Sequence, residues 1–290
     1  MNIKLRSGLT ALTVGFFYLS GCATQPAQES LQLNSQGYFA APGVNVLAFN
    51  NPPGGLFFDA KTSGIEIIHH GERTVTNGDV RMLPVPEQWD GMGELVDRKV
   101  DENTGVVSSF LAYPQLQFQY RVDARAVGDN IILSVHLDQP LPSALVGKAG
   151  FNLEFLPAVY WDKSFLADGS AGRFPRSASS ASGMVKNAMG LTEPAPLARG
   201  QQLVLAPETP EHRIAIRNLE GELMLYDGRT KAQNGWYVVR GELPAGRTGV
   251  VLEWTLEGNT VPGWTRDTVI GHSQVGYHPA QRKVAVLEND

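Results

Sequence analysis

Polar and apolar positions alternate with period two over long stretches of this chain. Leu116, Phe118, Tyr120 and Val122 are interleaved with Gln117, Gln119, Arg121 and Asp123, the pattern of a strand with one buried face. Comparable runs occur at 44–49, 64–70, 130–137, 201–206, 213–219, 222–228, 236–243 and 249–258. Turn signals separate them, among them Pro52-Pro53-Gly54-Gly55, Asn77-Gly78, Gly128-Asp129, Asp227-Gly228 and Asn234-Gly235. The last of these, set between two alternating runs, is the best short-hairpin candidate. Helical periodicity is sparse, and only 142–148 and 181–190 are candidates for short helices. Many short strands with Gly- and Pro-rich turns predict an all-β fold, an antiparallel β-sandwich. The run of strands spans about residues 37–260, long for one immunoglobulin-type sandwich, so a larger, many-stranded one is expected.

The N-terminal stretch reads differently. Lys4 and Arg6 precede an apolar run from Leu9 to Leu19, too short to span a bilayer and of the length of a secretory signal. The following Leu19-Ser20-Gly21-Cys22 resembles a bacterial lipobox, in which small residues admit the peptidase and the thiol accepts the lipid. Cys22 is the only cysteine, so no intramolecular disulfide can form; its place after the apolar run disfavours a buried structural role. The resemblance implies that 1–21 is a signal peptide, that Cys22 is the lipid attachment site, and that the protein is held in the cell envelope. Ala23, rather than Asp, after the cysteine implies outer-membrane sorting. Residues 22–36 are polar, rich in Gln and Ser, and read as a flexible tether.

Charge narrows the partners. Of 24 basic and 29 acidic residues, removal of 1–21 takes Lys4 and Arg6 and no acid, moving the formal charge from −5 to −7. No basic run occurs, which argues against nucleic acid as a partner.

The last twenty residues, GHSQVGYHPAQRKVAVLEND, carry strong strand patterning with no partner strand after them. Gln274, Val275, Gly276, Tyr277, Pro279, Lys283 and Ala285 resemble the first strand of the immunoglobulin-like module that precedes the catalytic domain in many family 9 glycoside hydrolases, mostly cellulases. Ser273 departs from the family's usual Asn. Residues 152–176 look like part of the β-rich module found upstream of that domain in some bacterial lipoprotein members. The resemblance implies structural roles for Gln274, Gly276, Tyr277 and Pro279, with 268–290 as the truncated start of an immunoglobulin-like domain. It further implies an inverting, endoglucanase-type enzyme whose catalytic domain is absent from this chain. In the family the base comes from an Asp-Ala-Gly-Asp motif; here Asp59-Ala60 is followed by Lys61 and the motif does not occur.

Other chemistry is thin. No HExxH, CxxC or Gly-rich phosphate loop is present, so no metal and no cofactor is expected. His69-His70 with Glu66 and Glu72 hints at a metal cluster, but adjacent strand residues point to opposite faces, so a surface or edge position is expected. Ser164, Ser170 and the Ser-rich 177–183 lie outside any GxSxG elbow, and His136 in its alternating strand reads as structural. Asp168 and Arg173 read as a salt bridge pinning a loop. Among the aromatics Trp89, Trp161, Trp236, Tyr237 and Trp254, burial in the core is the default. Trp89, in the Pro-rich loop 83–93, with Trp236 and Tyr237 are the candidates for a sugar-stacking platform. Two functions follow: the non-catalytic accessory portion of a membrane-anchored glycoside hydrolase acting on β-glucan or another plant polysaccharide, or a free-standing carbohydrate-binding surface lipoprotein.

Overall fold

A computed structural model describes residues 30–50, 64–87, 90–178, 183–187, 190–231 and 235–288. Cys22, the signal and lipobox residues, Asp59, Trp89 and Asn234 lie outside the described residues.

The chain opens with β1 (Gln32–Leu33), β2 (Phe39–Ala41), β3 (Val44–Ala48), β4 (Ile65–His69) and β5 (Glu72–Arg81). A four-strand meander follows: β6 (Glu94–Asp101), β7 (Val106–Tyr113), β8 (Phe118–Val127) and β9 (Asn130–Leu137). Next come β10 (Gly150–Phe155), β11 (Ser164–Ala167), β12 (Ser170–Arg173), β13 (Met184–Lys186), β14 (Thr192–Pro194), β15 (Ala198–Gly200) and β16 (Gln202–Leu205). The remaining strands are β17 (Ile214–Asn218), β18 (Leu223–Asp227), β19 (Tyr237–Glu242), β20 (Gly249–Gly258), β21 (Val269–His272) and β22 (Ala285–Glu288).

Among the described residues these strands build two nine-stranded antiparallel sheets. The first runs β1-β2-β3-β4-β5-β10-β19-β18-β15, and the second β12-β11-β16-β17-β20-β9-β8-β7-β6. The protein is therefore an all-β sandwich of the large kind that the alternation predicts. One contiguous core fills the space between the sheets, and Trp254 of β20 meets Phe151 of β10 edge-on across it, centroids 5.1 Å apart. β8 shows how the period-two pattern works: Phe118, Tyr120, Val122 and Ala124 are buried, while Gln119, Arg121, Asp123 and Arg125 turn outward. Gly78 marks a close approach inside the first sheet. A Cβ there would lie 2.6 Å from Ile65 Cβ and 2.6 Å from Leu153 Cδ2.

Three expectations change. Residues 31–36 are not tether: Leu31 is buried, its N–H bonds to Gly128 O, and Gln32–Leu33 pair with Phe39–Ala40. Met184–Lys186 form a strand against Thr192–Pro194 instead of a helix, and 142–148 holds only a 3-10 turn, Ser143–Leu145. The connection between β18 and β19 contains a 3-10 turn, Gly228–Thr230, so it is longer than a two-residue hairpin loop.

The C-terminal strand pairs backwards. Ala285–Glu288 bond to Val269–His272 in a ribbon that joins neither sheet, and every residue of both strands is exposed. Gly276 sits at φ +85°, which a side chain would strain, and Tyr277 keeps to the ribbon, accepting from Ser273 N–H and donating to Val284 O. Gln274 and Pro279 are exposed in the connecting loop.

Candidate functional site

Strand register assembles two rows of side chains on the outer face of the second sheet. Asp97 of β6 lies opposite Phe110 of β7, which lies opposite Arg121 of β8, which lies opposite His136 of β9. One step along, Lys99, Ser108, Asp123, Ser134 and Glu253 form the neighbouring row across five strands. Directly opposed residues on one face are within contact distance, so the rows behave as a continuous polar surface. A groove of about 820 Å³ runs over the first row, walled by Pro114, Gln117, Gln119 and Pro140.

The centre of the surface is a closed triad. Arg121 Nε donates to Asp123 Oδ2 at 3.2 Å and lies 3.0 Å from Oδ1, and its terminal NH2 donates to His136 Nδ1 at 3.0 Å. A guanidinium only donates, so His136 Nδ1 must accept, and the proton sits on Nε2, which donates to Asp123 Oδ2 at 2.9 Å. Partial burial alone would raise the Asp123 carboxyl, but hydrogen bonds from His136 and Ser108 and the Arg121 charge outweigh it and hold the group below its ordinary range. Ser134 Oγ donates to Glu253 Oε2 at 2.9 Å in the next row. The Phe110 ring lies between two cations, Lys99 Nζ 5.0 Å and Arg121 5.8 Å from its centroid. The result is a shallow face of fixed, planar hydrogen-bonding groups with an aromatic ring among them, each group already oriented by a neighbour.

Residues of the inward face also line the groove. Tyr113, Phe118 and Tyr120 stack with centroids 5.2–6.3 Å apart. Tyr120 OH donates to the buried Asp79 at 2.8 Å, and Tyr113 OH to Val80 O at 2.7 Å. Burial raises the Asp79 carboxyl to about 6, against the lowering effects of Arg81, Tyr120 and the Val80 N–H.

The sequence-derived candidates scatter. Tyr237 is fully buried, its ring against Phe174 at 4.6 Å and under the Arg229 guanidinium, so it offers no face to a sugar. Trp236 is half-buried against Val85, Met224, Tyr226 and Val238, on the outer side of the first sheet. Trp161 is exposed and carries Arg176 over its ring; Trp254 is core. Asp168 does pin a loop, but by accepting from the N–H groups of Gln201 and Gln202 at 3.0 and 2.8 Å; Arg173 donates to Asp162 O instead. Neither Arg121 nor Asp123 stood out in the sequence, although the 116–123 alternation already put both on the outward face.

His69 and His70 also depart from expectation. His70 adopts φ +48° at the β4–β5 turn, which breaks the alternation and brings the two rings within 6.0 Å. His69 is fully buried, with its imidazole pushed down to about 3 by desolvation and by the His70 and His212 charges. His70 donates from Nδ1 to Glu211 O at 2.9 Å and lies edge-on to Trp264. His212 accepts from Lys163 Nζ at 2.6 Å and faces Glu72 at 3.2 Å. Among the described residues no group of three or more His, Cys, Asp or Glu is placed to hold a metal ion, and no helix is long and apolar enough to cross a membrane.

No protein-family model matches this chain, and no curated protein matches it. Among solved structures it is similar to the Slr1438 protein of Synechocystis sp. PCC 6803, with 10% sequence identity and a TM-score of 0.35 over 83% of this chain and 98% of that one. A likeness of that strength carries no argument about function.

Proposed function

We propose that the sandwich is a non-catalytic carbohydrate-binding module, borne on a lipid-anchored envelope protein through Cys22 and serving the breakdown of β-glucan or a related polysaccharide. The observation that carries this reading is the pair Arg121 and His136, which line the groove and are both held by Asp123. Sugars present many hydroxyls that both donate and accept in fixed directions. They are recognised by planar polar side chains that are already held in place, because little side-chain entropy is then lost on binding. Affinity electrophoresis in gels containing soluble β-glucan tests it. The protein should be retarded, Arg121→Ala should migrate freely, and unretarded wild-type protein would sink the reading.

The accessory role beside a family 9 catalytic domain draws support from the terminal ribbon. Ile270, Val275 and Leu287 are 62%, 99% and 65% exposed, and a lone two-stranded ribbon is marginal in water. Such a surface suits the opening strands of a further β-module. DNA downstream of the Asp290 codon that encodes, in any frame, an immunoglobulin-like module and an Asp-Ala-Gly-Asp motif supports the role, and an intergenic region without remnants counts against it.

A further inference from the structure

The outer face of the first sheet carries a second depression, of about 540 Å³, within the size range of small-ligand sites. Its floor is Met224 and Tyr226 of β18, Pro84 and Pro194 contribute apolar walls, and Glu193 of β14 and Arg240 of β19 line its depth. Arg240 is wholly buried, and its donors are used: Asn152 Oδ1 accepts at 2.8 Å and Leu83 O at 3.1 Å, with Lys148 O also accepting. Glu193 is the exception. It is 2% exposed, Oε1 accepts from Lys231 Nζ at 2.8 Å, and Oε2 is out of contact with solvent and has no hydrogen-bond partner. Desolvation pushes this carboxyl up, and Lys231 offsets only part of that.

A buried carboxylate oxygen lacking a donor leaves a desolvation cost unmet that a ligand donor can offset. The kind of donor follows from the charges around it. Lys231 already neutralises Glu193, and the Arg240 charge acts on it as well. A second ammonium would meet two cations at close range, whereas a hydroxyl brings a donor without charge. Met224 and Tyr226 give the apolar floor that the C–H face of a sugar ring covers.

We propose that this depression is a second saccharide subsite, in which the ring lies on Met224 and Tyr226 and a rotation of the Glu193 carboxylate turns the sealed Oε2 to accept from a neutral sugar hydroxyl. The choice of a sugar rests on the carbohydrate reading above; the site itself is independent of the groove, being on the opposite sheet.

Isothermal titration of the full chain with cellotetraose separates the two. Wild type should take two molecules per chain, Glu193→Gln one, and Arg121→Ala one. Glu222→Trp is a check that leaves the Glu193–Lys231 pair intact: Glu222 is half-exposed at the mouth and pairs with Arg199, so a bulky ring there should remove the same site. A stoichiometry of one that survives both Glu193→Gln and Glu222→Trp but is lost in Arg121→Ala overturns the subsite and keeps the groove. A stoichiometry of one lost in Glu193→Gln and kept in Arg121→Ala supports the subsite and overturns the groove. No binding of cellotetraose by wild type overturns the subsite, while retention on polymeric glucan would still stand for the groove.

Discussion

Replacing His69 with leucine removes a buried imidazole and should change how the stability of the fold depends on pH. The imidazole has its ordinary value of 6.5 in the unfolded chain and is pushed down to about 3 by burial in the folded one. Its folded value is depressed, so its contribution is fully present above pH 6.5 and is lost as pH falls towards 3, because the unfolded chain takes up a proton that the native state refuses. At pH 5 the loss is about 2 kcal/mol. Asp79 works in the opposite direction. Burial pushes its folded value up to about 6, above the ordinary 3.8, so its contribution is present below 3.8 and is lost as pH rises through 6. Acidification from pH 7 to pH 5 therefore returns about 1 kcal/mol through Asp79. The two nearly cancel in the wild type, whose urea-unfolding free energy should drop by less than about 1 kcal/mol over that interval. In His69→Leu the Asp79 effect is left uncovered, and the variant should be more stable at pH 5 than at pH 7 by about 1 kcal/mol. Leucine removes Nε2, which is buried without a partner, and also the long Nδ1 contact to Thr74 Oγ1 at 3.5 Å; the hydroxyl keeps Ile67 O at 3.4 Å, so only a small penalty is expected at neutral pH. Parallel pH profiles for the two proteins would refute the assignment of His69 as a buried neutral base.

Three further outcomes follow from packing and hydrogen bonding. Gly78→Ala, which drives a methyl into Ile65 and Leu153, should cost about 1–3 kcal/mol in chemical denaturation, and a neutral result would mean that the β4–β5 contact is looser than described. Tyr120→Phe strips Asp79 of a side-chain donor and raises its carboxyl further; the loss should grow as pH rises through 6, and a pH-independent loss would contradict it. Trp254→Ala opens a cavity between the sheets and should cost about 3–5 kcal/mol, with near-wild-type melting as the contrary outcome.

The strands that were easy to see are those with one wet face. β8 and β20 alternate because their outer residues, such as Arg121 and Glu253, meet solvent. β10 was hidden for the opposite reason: all six residues from Gly150 to Phe155 are buried, Asn152 and Glu154 included, because the loop around Leu83 covers the outer face of the sheet. In β6 the ladder shifts register between Leu95 and Asp97, which spoils the period. The candidate site was legible in part. Alternation put Arg121 and Asp123 outward, but only the pairing of three separate strands brings Phe110 and His136 alongside them, and no single stretch of sequence encodes that pairing. Left-handed backbone was the other blind spot, since His70 at φ +48° defeats any argument from strand alternation.

Titration of isotopically labelled protein with a β-glucan oligosaccharide, followed by backbone and side-chain chemical shifts, tests the central claim most directly. The account predicts saturable shifts at Phe110, Arg121 and His136 with a common dissociation constant. If those three resonances stay in place at saturating sugar, whatever else moves, the groove is not a binding site and the account is wrong.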